Sequence, residues 1–562
     1  MTDRPRCRLD APAAALVYLI LAVLLLAPLS LQLADHVQGR GDTLLNVWIL
    51  SWLTHALETD PASLFHGNAL YPFRYSIAFS ELQIASLPFF SPVFLVTGNP
   101  VFSHNVLLLA SFVLGGLGAF WLGRAVTGSA TAGLVAGVVF GFAPYRLVHL
   151  VHVQLLTTHW IPIAFLSLHL ARRDPRWRYF LAFAACLSLQ ALSSFYNGLF
   201  LAVGVATFVG YLAVRRQLDR RFVGQLAAAS VLAAVLLVPF AAPYFAARRL
   251  YGFTRTLDEV QLLSATPSDY LYAHPRSVLY GERLGRARSG KSPENMIFPG
   301  FLAPALAFVG LFAGRGRGPD DGRRVEKGPF LGVLIVAVLL SMGPWLVLPG
   351  SAGRVPLPYL LLYHWFPGFQ GLRVPVRFVV LVMLALGTLA GIGTARLGAG
   401  VARRWGRAAS GLSVAVIVAV LALEASISPV AVEPIETGEA VPPVYRWLAE
   451  QPAGTPVVEL PFETRRHDEV MYFSTYHWQP IVNGASGFQP PAFHGIARTS
   501  RQLPSDESVE RLREIGVQLV VVRLSAYPPD RSAVVAQAFD ASRRVHLVAR
   551  FGSDRVYRLL PP

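Results

Sequence analysis

The chain has 562 residues, of which 54% are hydrophobic and only 15% charged, whereas a soluble domain is nearer one-quarter charged. Apolar runs of about 18 residues or more recur along most of its length, each able to cross about 30 Å of hydrocarbon, which excludes a soluble enzyme and makes this a polytopic membrane protein. The formal net charge of +16 does not indicate nucleic acid as a partner, because the cations cluster in short loops between apolar runs.

Arg4, Arg6 and Arg8 precede the first apolar run, 12–34. The run is longer than the core of a secretory signal and no small-residue cleavage site follows, so it reads as an uncleaved span behind a cytoplasmic tail, 1–11. Gly41-Asp42 comes next, ahead of an amphipathic helical pattern over Thr43–Leu57. Asp42 is well placed to cap that helix. Glu81, in AFSELQ, is the second acid of this loop. The stretch 84–97 is short and interrupted by Pro88 and Pro92, which makes it interfacial or re-entrant rather than spanning.

Further spans are expected at 102–123, 130–147, 153–171, 179–196, 198–214, 223–246, 299–314, 329–348, 377–397 and 409–430. Four basic clusters punctuate them: Arg172 to Arg178, Arg215 to Arg221, Arg315 to Lys327, and Arg403 to Arg407. The bias of Lys and Arg toward the cytoplasmic side places all four inside. Eleven spans with a cytoplasmic N-terminus satisfy this, and they leave 35–101, 247–298, 349–376 and everything from 431 outside.

The outer segments carry the polar residues. APYRLVHLVHVQ supplies Arg146, His149 and His152, and SSFYNG supplies Asn197. The loop 247–298 supplies His274 and Glu294, and LRVPVRF supplies Arg373 and Arg377 at the mouth of a span. Charge within a turn of a membrane boundary is costly without a partner, so these are candidate site residues. Mid-span positions are almost all Ala, Val, Leu, Gly and Phe, and no internal repeat is visible, which disfavours a secondary transporter. His149 and His152 lack a third ligand at recognisable spacing and the first loop has no DxD or ExD pair. No metal site is therefore assigned, although a divalent cation shared by Asp42 and Glu81 stays open. Cys7 and Cys186 form no disulfide framework.

From about 435 the pattern changes to that of a small α/β domain. VPPVYRWLAE and ESVERLREIG read as helices, TPVVELPF and QLVVVRL as strands, and VHLVARFG with RVYRLLPP as a hairpin through Gly552-Ser553-Asp554. The expected organisation is the tail 1–11, a transmembrane domain 12–430 and an extracytoplasmic α/β domain 431–562.

The order of these elements resembles the GT-C superfamily of glycosyltransferases. The matching features are a first span followed by Gly41-Asp42, amphipathic helix in the first loop, a polytopic body, a long outer loop before a late span, and an extracytoplasmic C-terminal domain. LFHGNALYPF, AFSELQ, LVTGNPVFSHN, GFAPYRLVHLVHVQ, ENMIFPG and LRVPVRF also resemble the YfhO-like bacterial membrane proteins grouped near it. The resemblance covers roughly 12–430. It implies a bacterial cytoplasmic-membrane enzyme that takes a sugar from a polyprenyl-phosphate donor and passes it, with inversion, to a glycan, lipid or protein acceptor on the outer face. It implies Asp42 as catalytic base with Glu81 in support, and Arg146, Arg373 and Arg377 on the donor phosphate. His149, His152, Asn197, His274 and Glu294 would contact substrate. A lipid or polysaccharide transporter and a non-catalytic membrane scaffold are the alternative readings.

Overall fold

The computed structural model describes residues 10–285, 292–312, 325–347, 354–463 and 466–561. Arg4, Arg6, Arg8 and Cys7, and most of the Arg315 to Lys327 cluster, lie outside them. Among the described residues six helices are long and apolar enough to cross a membrane: Pro100–Thr127, Ala130–Val148, Val153–Arg173, Phe195–Val214, Arg220–Tyr251 and Pro375–Ala425. The protein is a multi-pass membrane protein. Its chain divides into two compact units.

The first unit takes residues up to Leu31, Leu107–Pro239 and Thr254–Ala431. At its centre is the helix Val379–Ala425, whose first turns from Val379 to Thr394 are buried on every side. The helices Ala130–Gly141 and Leu302–Phe312 pack closely on it. Small residues permit that approach. A Cβ at Gly391 would lie 2.7 Å from the Ala132 carbonyl oxygen, and one at Gly393 would lie 2.0 Å from that of Leu306. By contrast, Arg220–Tyr251 exposes Val231, Val235 and Val238 by about 60% each, the surface expected of a helix that faces lipid.

The expected spans are broken more often than their hydrophobicity suggests. The first helix is Asp10–Leu25 rather than 12–34, and it stops before Pro28, which lacks the N–H that an inner turn needs. The 130–147 run ends at Gly141 and restarts as Pro144–Val148. The run 153–171 splits into Val153–Leu156 and Trp160–Arg173. Ser194 divides Trp177–Ser193 from Phe195–Val214; its backbone is extended and its hydroxyl accepts the Asn197 N–H, capping the second helix. The runs 377–397 and 409–430 are joined through a break at Gly406, where φ is +87°, a conformation suited to glycine. In the 84–97 stretch the helix is Leu87–Thr97, 11 residues long. At about 1.5 Å per residue that is about half the hydrocarbon thickness.

The second unit takes Gln32–Val106, Phe240–Phe253 and residues from Val432 onward. The tail forms a four-stranded sheet. Val457–Leu460 pairs parallel with Leu519–Val522, which pairs antiparallel with Asp554–Leu559, and Val545–Phe551 closes the edge. The last two strands turn through Gly552, at φ +58°. The first-loop residues belong to the same core. Leu70 and Phe79 pack with Val458, Val520 and Tyr557, the Leu70 N–H donates to the Asn483 carbonyl at 3.1 Å, and the Ile481 N–H donates to that of Asn68 at 2.7 Å.

Candidate active site

Several of the expected site residues fall into two polar clusters, one in each unit. In the second unit, Asp42 sits in the first turn of the helix Gly41–Thr59, and its side chain is exposed. The N-cap position belongs to Arg40, which is in the right-handed helical region and makes no side-chain cap. The capping role expected of Asp42 is thus corrected: it lies two positions inside the helix. A carboxylate there is favoured by the helix dipole.

Arg40 fixes this corner. Its Nη1 lies 3.3 Å from Glu469 Oε1, its Nε 3.7 Å from Glu433 Oε2, and its Nη2 donates to the Pro434 carbonyl at 2.7 Å. Glu469 belongs to the helix His467–Ser474, which packs against the Asp42 helix. Behind Asp42, Asn46 Nδ2 donates to the Asp42 carbonyl at 2.6 Å, and Gln83 Nε2 donates to Asn46 Oδ1 at 2.7 Å. Gln83 is buried in the left-handed region at φ +57°. That chain of bonds ties the AFSELQ loop to the Asp42 helix. Glu81 is half-buried in the loop, next to Ser80, whose carbonyl accepts the Tyr244 hydroxyl at 2.8 Å.

Asp468 joins this corner and was not anticipated from the sequence. Burial and the nearby Asp42 carboxylate push its carboxyl up to about 7. Its local sequence, RRHDEV, looks like an ordinary acidic helix start, which is why it drew no notice.

The first unit holds the other cluster. Arg377 Nη2 donates to Glu294 Oε1 at 2.5 Å and Nε to Glu294 Oε2 at 3.1 Å. The two side chains are 10% and 14% exposed, so this is a two-point buried pair. His149 Nε2 is 3.2 Å from Glu294 Oε2, and its Nδ1 is 2.9 Å from the Tyr145 carbonyl. The Arg377 guanidinium lies over the Tyr196 ring at 5.3 Å. Burial would raise the Glu294 carboxyl, but Arg377 and then His149 outweigh it and hold it well below the usual carboxylate range.

Arg146 is near in sequence yet has a different task. Its Nη1 donates to Thr158 Oγ1 at 2.8 Å, and its Nη2 to the carbonyls of Leu156 and Ser111 at 2.9 and 3.1 Å. It is 4% exposed and its guanidinium covers the Phe112 ring. Where a phosphate contact was expected of Arg146, these donors meet protein oxygens, among them the Leu156 carbonyl at the break in the 153–171 run. Arg373 differs again. Its side chain is 42% exposed and 4.0 Å from Glu259, and its backbone N–H donates to the Tyr196 hydroxyl at 2.6 Å.

The remaining expected residues are dispersed within the first unit. The His152 ring lies 5.8 Å from that of His149. Asn197 is buried and its Nδ2 donates to the Gln154 carbonyl at 3.4 Å. His274 Nδ1 accepts the Arg276 N–H at 3.0 Å, and burial, then Arg276, lowers its basicity. His274 lines a small cavity with Ser277, Met296 and Glu424. Glu424 was also missed, although a lone acid inside an apolar span was the available signal. It accepts the Phe301 N–H and the Tyr280 hydroxyl at 2.9 and 2.7 Å, capping the Leu302–Phe312 helix from a distance. Among the described residues no group of three or more His, Cys, Asp or Glu side chains is arranged to hold a metal ion.

No protein-family model matches the sequence, and no curated protein does. Solved structures match by fold. The cryo-EM structure of the arabinofuranosyltransferase AftD from Mycobacteria aligns over 98% of this chain with a TM-score of 0.63 and 17% identity. The chain has the GT-C glycosyltransferase fold. A mutant of the same AftD aligns over the whole chain at a TM-score of 0.57 and 18% identity. The apo structure of ArnT from Cupriavidus metallidurans covers 98% of both chains at 0.49 and 16%. The present chain spans about 40% of the length of the AftD chain that it matches.

Proposed function

We propose that this protein is a membrane glycosyltransferase. It moves a sugar from a polyprenyl-phosphate donor to a cell-envelope glycan, lipid or protein acceptor on the outer face of a bacterial cytoplasmic membrane. The observation that carries the reading is an exposed carboxylate, Asp42, in the first turn of the helix that follows the first apolar helix, within a GT-C fold. In the reaction the acceptor oxygen attacks the anomeric carbon. The bond from that carbon to the phosphate oxygen breaks, and the phosphate leaves with the electron pair. Configuration inverts, and Asp42 takes the acceptor proton. Developing negative charge on the phosphate calls for a guanidinium. Of the three arginines expected to meet it, Arg373 has the exposure for a lipid phosphate, whereas the donors of Arg146 and Arg377 face protein oxygens.

The test is sugar transfer by membranes supplied with labelled polyprenyl-phosphate sugars, wild type against Asp42→Asn. Loss of a general base lowers the rate by about 100-fold or more. Transfer by the variant at the wild-type rate removes Asp42 as base. No transfer by the wild type from any such donor overturns the function itself.

A further inference from the structure

The tail of the chain brings a second acid to the Asp42 corner. We propose that Asp468 is a positioning residue for the base: its carboxylate, held beside Asp42 by the Arg40–Glu469 ion pair, sets the proton affinity of Asp42. This inference rests on the proposed glycosyl transfer.

The geometry is independent of any titration. Arg40 stands two residues before Asp42 and Glu469 one residue after Asp468, and their side chains meet at 3.3 Å. The helices Gly41–Thr59 and His467–Ser474 pack together, with both aspartates in first turns. The two helix starts are therefore pinned to each other within one or two residues of each carboxyl group. Among the described residues the other charged groups at this corner include Glu433, 3.7 Å from Arg40, and Arg466, 3.8 Å from Glu469. His467 turns away, its ring packing on Phe462 and Phe493.

The chemistry follows from like charges. A second carboxylate makes it harder for Asp42 to stay ionised, so Asp42 becomes a stronger base. A neutral Asp468 removes that push. The Asp468 carboxyl, raised to about 7 by burial and by Asp42, changes charge near neutrality. The two groups titrate as a pair, and the upper step gates the strength of the base. No atom is added to the reaction: the acceptor proton still goes to Asp42.

The experiment measures the pH dependence of kcat for sugar transfer in membranes, with wild type, Asp468→Asn and Asp468→Glu. The wild-type rate rises through a limb near pH 7. Asp468→Asn loses that limb and falls on the order of tenfold in kcat, because a neutral neighbour leaves Asp42 a weaker base. Asp468→Glu keeps the limb. A wild-type profile that is flat from pH 6 to 8 overturns the inference without any variant. So does a folded Asp468→Asn with wild-type rate and profile, since asparagine replaces aspartate well at a helix start. Failure of Asp42→Asn to lose activity would instead strike the proposed function, so the two failures are distinguishable.

Discussion

Arg377 and Glu294 were expected to hold substrate, yet they hold each other, and removing one should therefore unfold more than it unbinds. The pair makes two contacts, at 2.5 and 3.1 Å, with side chains 10% and 14% exposed. Arg377→Met leaves the buried Glu294 carboxylate beside the His149 ring, 3.2 Å away, without its guanidinium. Breaking a buried pair in this way costs about 3–5 kcal/mol, whereas replacing both members by apolar residues of similar volume is close to neutral. The single variants Arg377→Met and Glu294→Met should each lower the midpoint of thermal unfolding in detergent by about 3–4 °C. The double variant should recover more than half of that loss, a coupling that only contacting residues show. Single variants that unfold with the wild type, and no recovery in the double, would refute the structural reading and return Arg377 to the phosphate.

Arg146→Lys should destabilise by about 2–3 kcal/mol, because one ammonium cannot reach Thr158, Ser111 and Leu156 together as the planar fork does; thermal unfolding checks it, and a Lys variant as stable as wild type would remove the structural role. The Asp468 carboxyl also predicts a stability change with a definite sign. Its raised value, about 7, means that the unfolded chain ionises first, so the native state loses stability as pH rises from about 4 through 7. Asp468→Asn should accordingly match wild type at pH 3 and exceed it at pH 8 in denaturant midpoint; a variant less stable at pH 8 would contradict the burial of a neutral acid.

What the sequence disclosed depends on how local each signal is. The closing hairpin was legible, because Gly552 between two alternating runs marks the turn, although Asp554, read as part of that turn, opens the second strand. The membrane body was legible from hydrophobicity, but its interruptions were not: the break between Leu156 and Trp160 lies in a run whose composition alone suits one helix. That break matters, since it holds the Leu156 carbonyl and the Thr158 hydroxyl that Arg146 meets. Pairings across long separations were invisible. Glu294 and Arg377 are 83 residues apart, and Arg40 and Glu469 are 429 apart. Asp42 was found through its place after the first span, yet its position within the helix was missed by two residues, the usual uncertainty of a helix boundary.

That two-residue difference bears on the proposed chemistry. At an N-cap, Asp42 would accept backbone N–H bonds that stabilise its charge and weaken it as a base. In the first turn it feels the helix dipole, which acts in the same direction but more weakly, and its side chain is exposed. A base for an acceptor hydroxyl must be ionised yet still hold a proton well near neutral pH. The dipole secures the first requirement. A neighbouring carboxylate supplies the second, by opposing the dipole from the start of the adjoining helix. Adding salt should weaken this coupling less than it weakens an exposed charge pair, because Asp468 is half-buried. The limb near pH 7 should then hold its position as ionic strength rises.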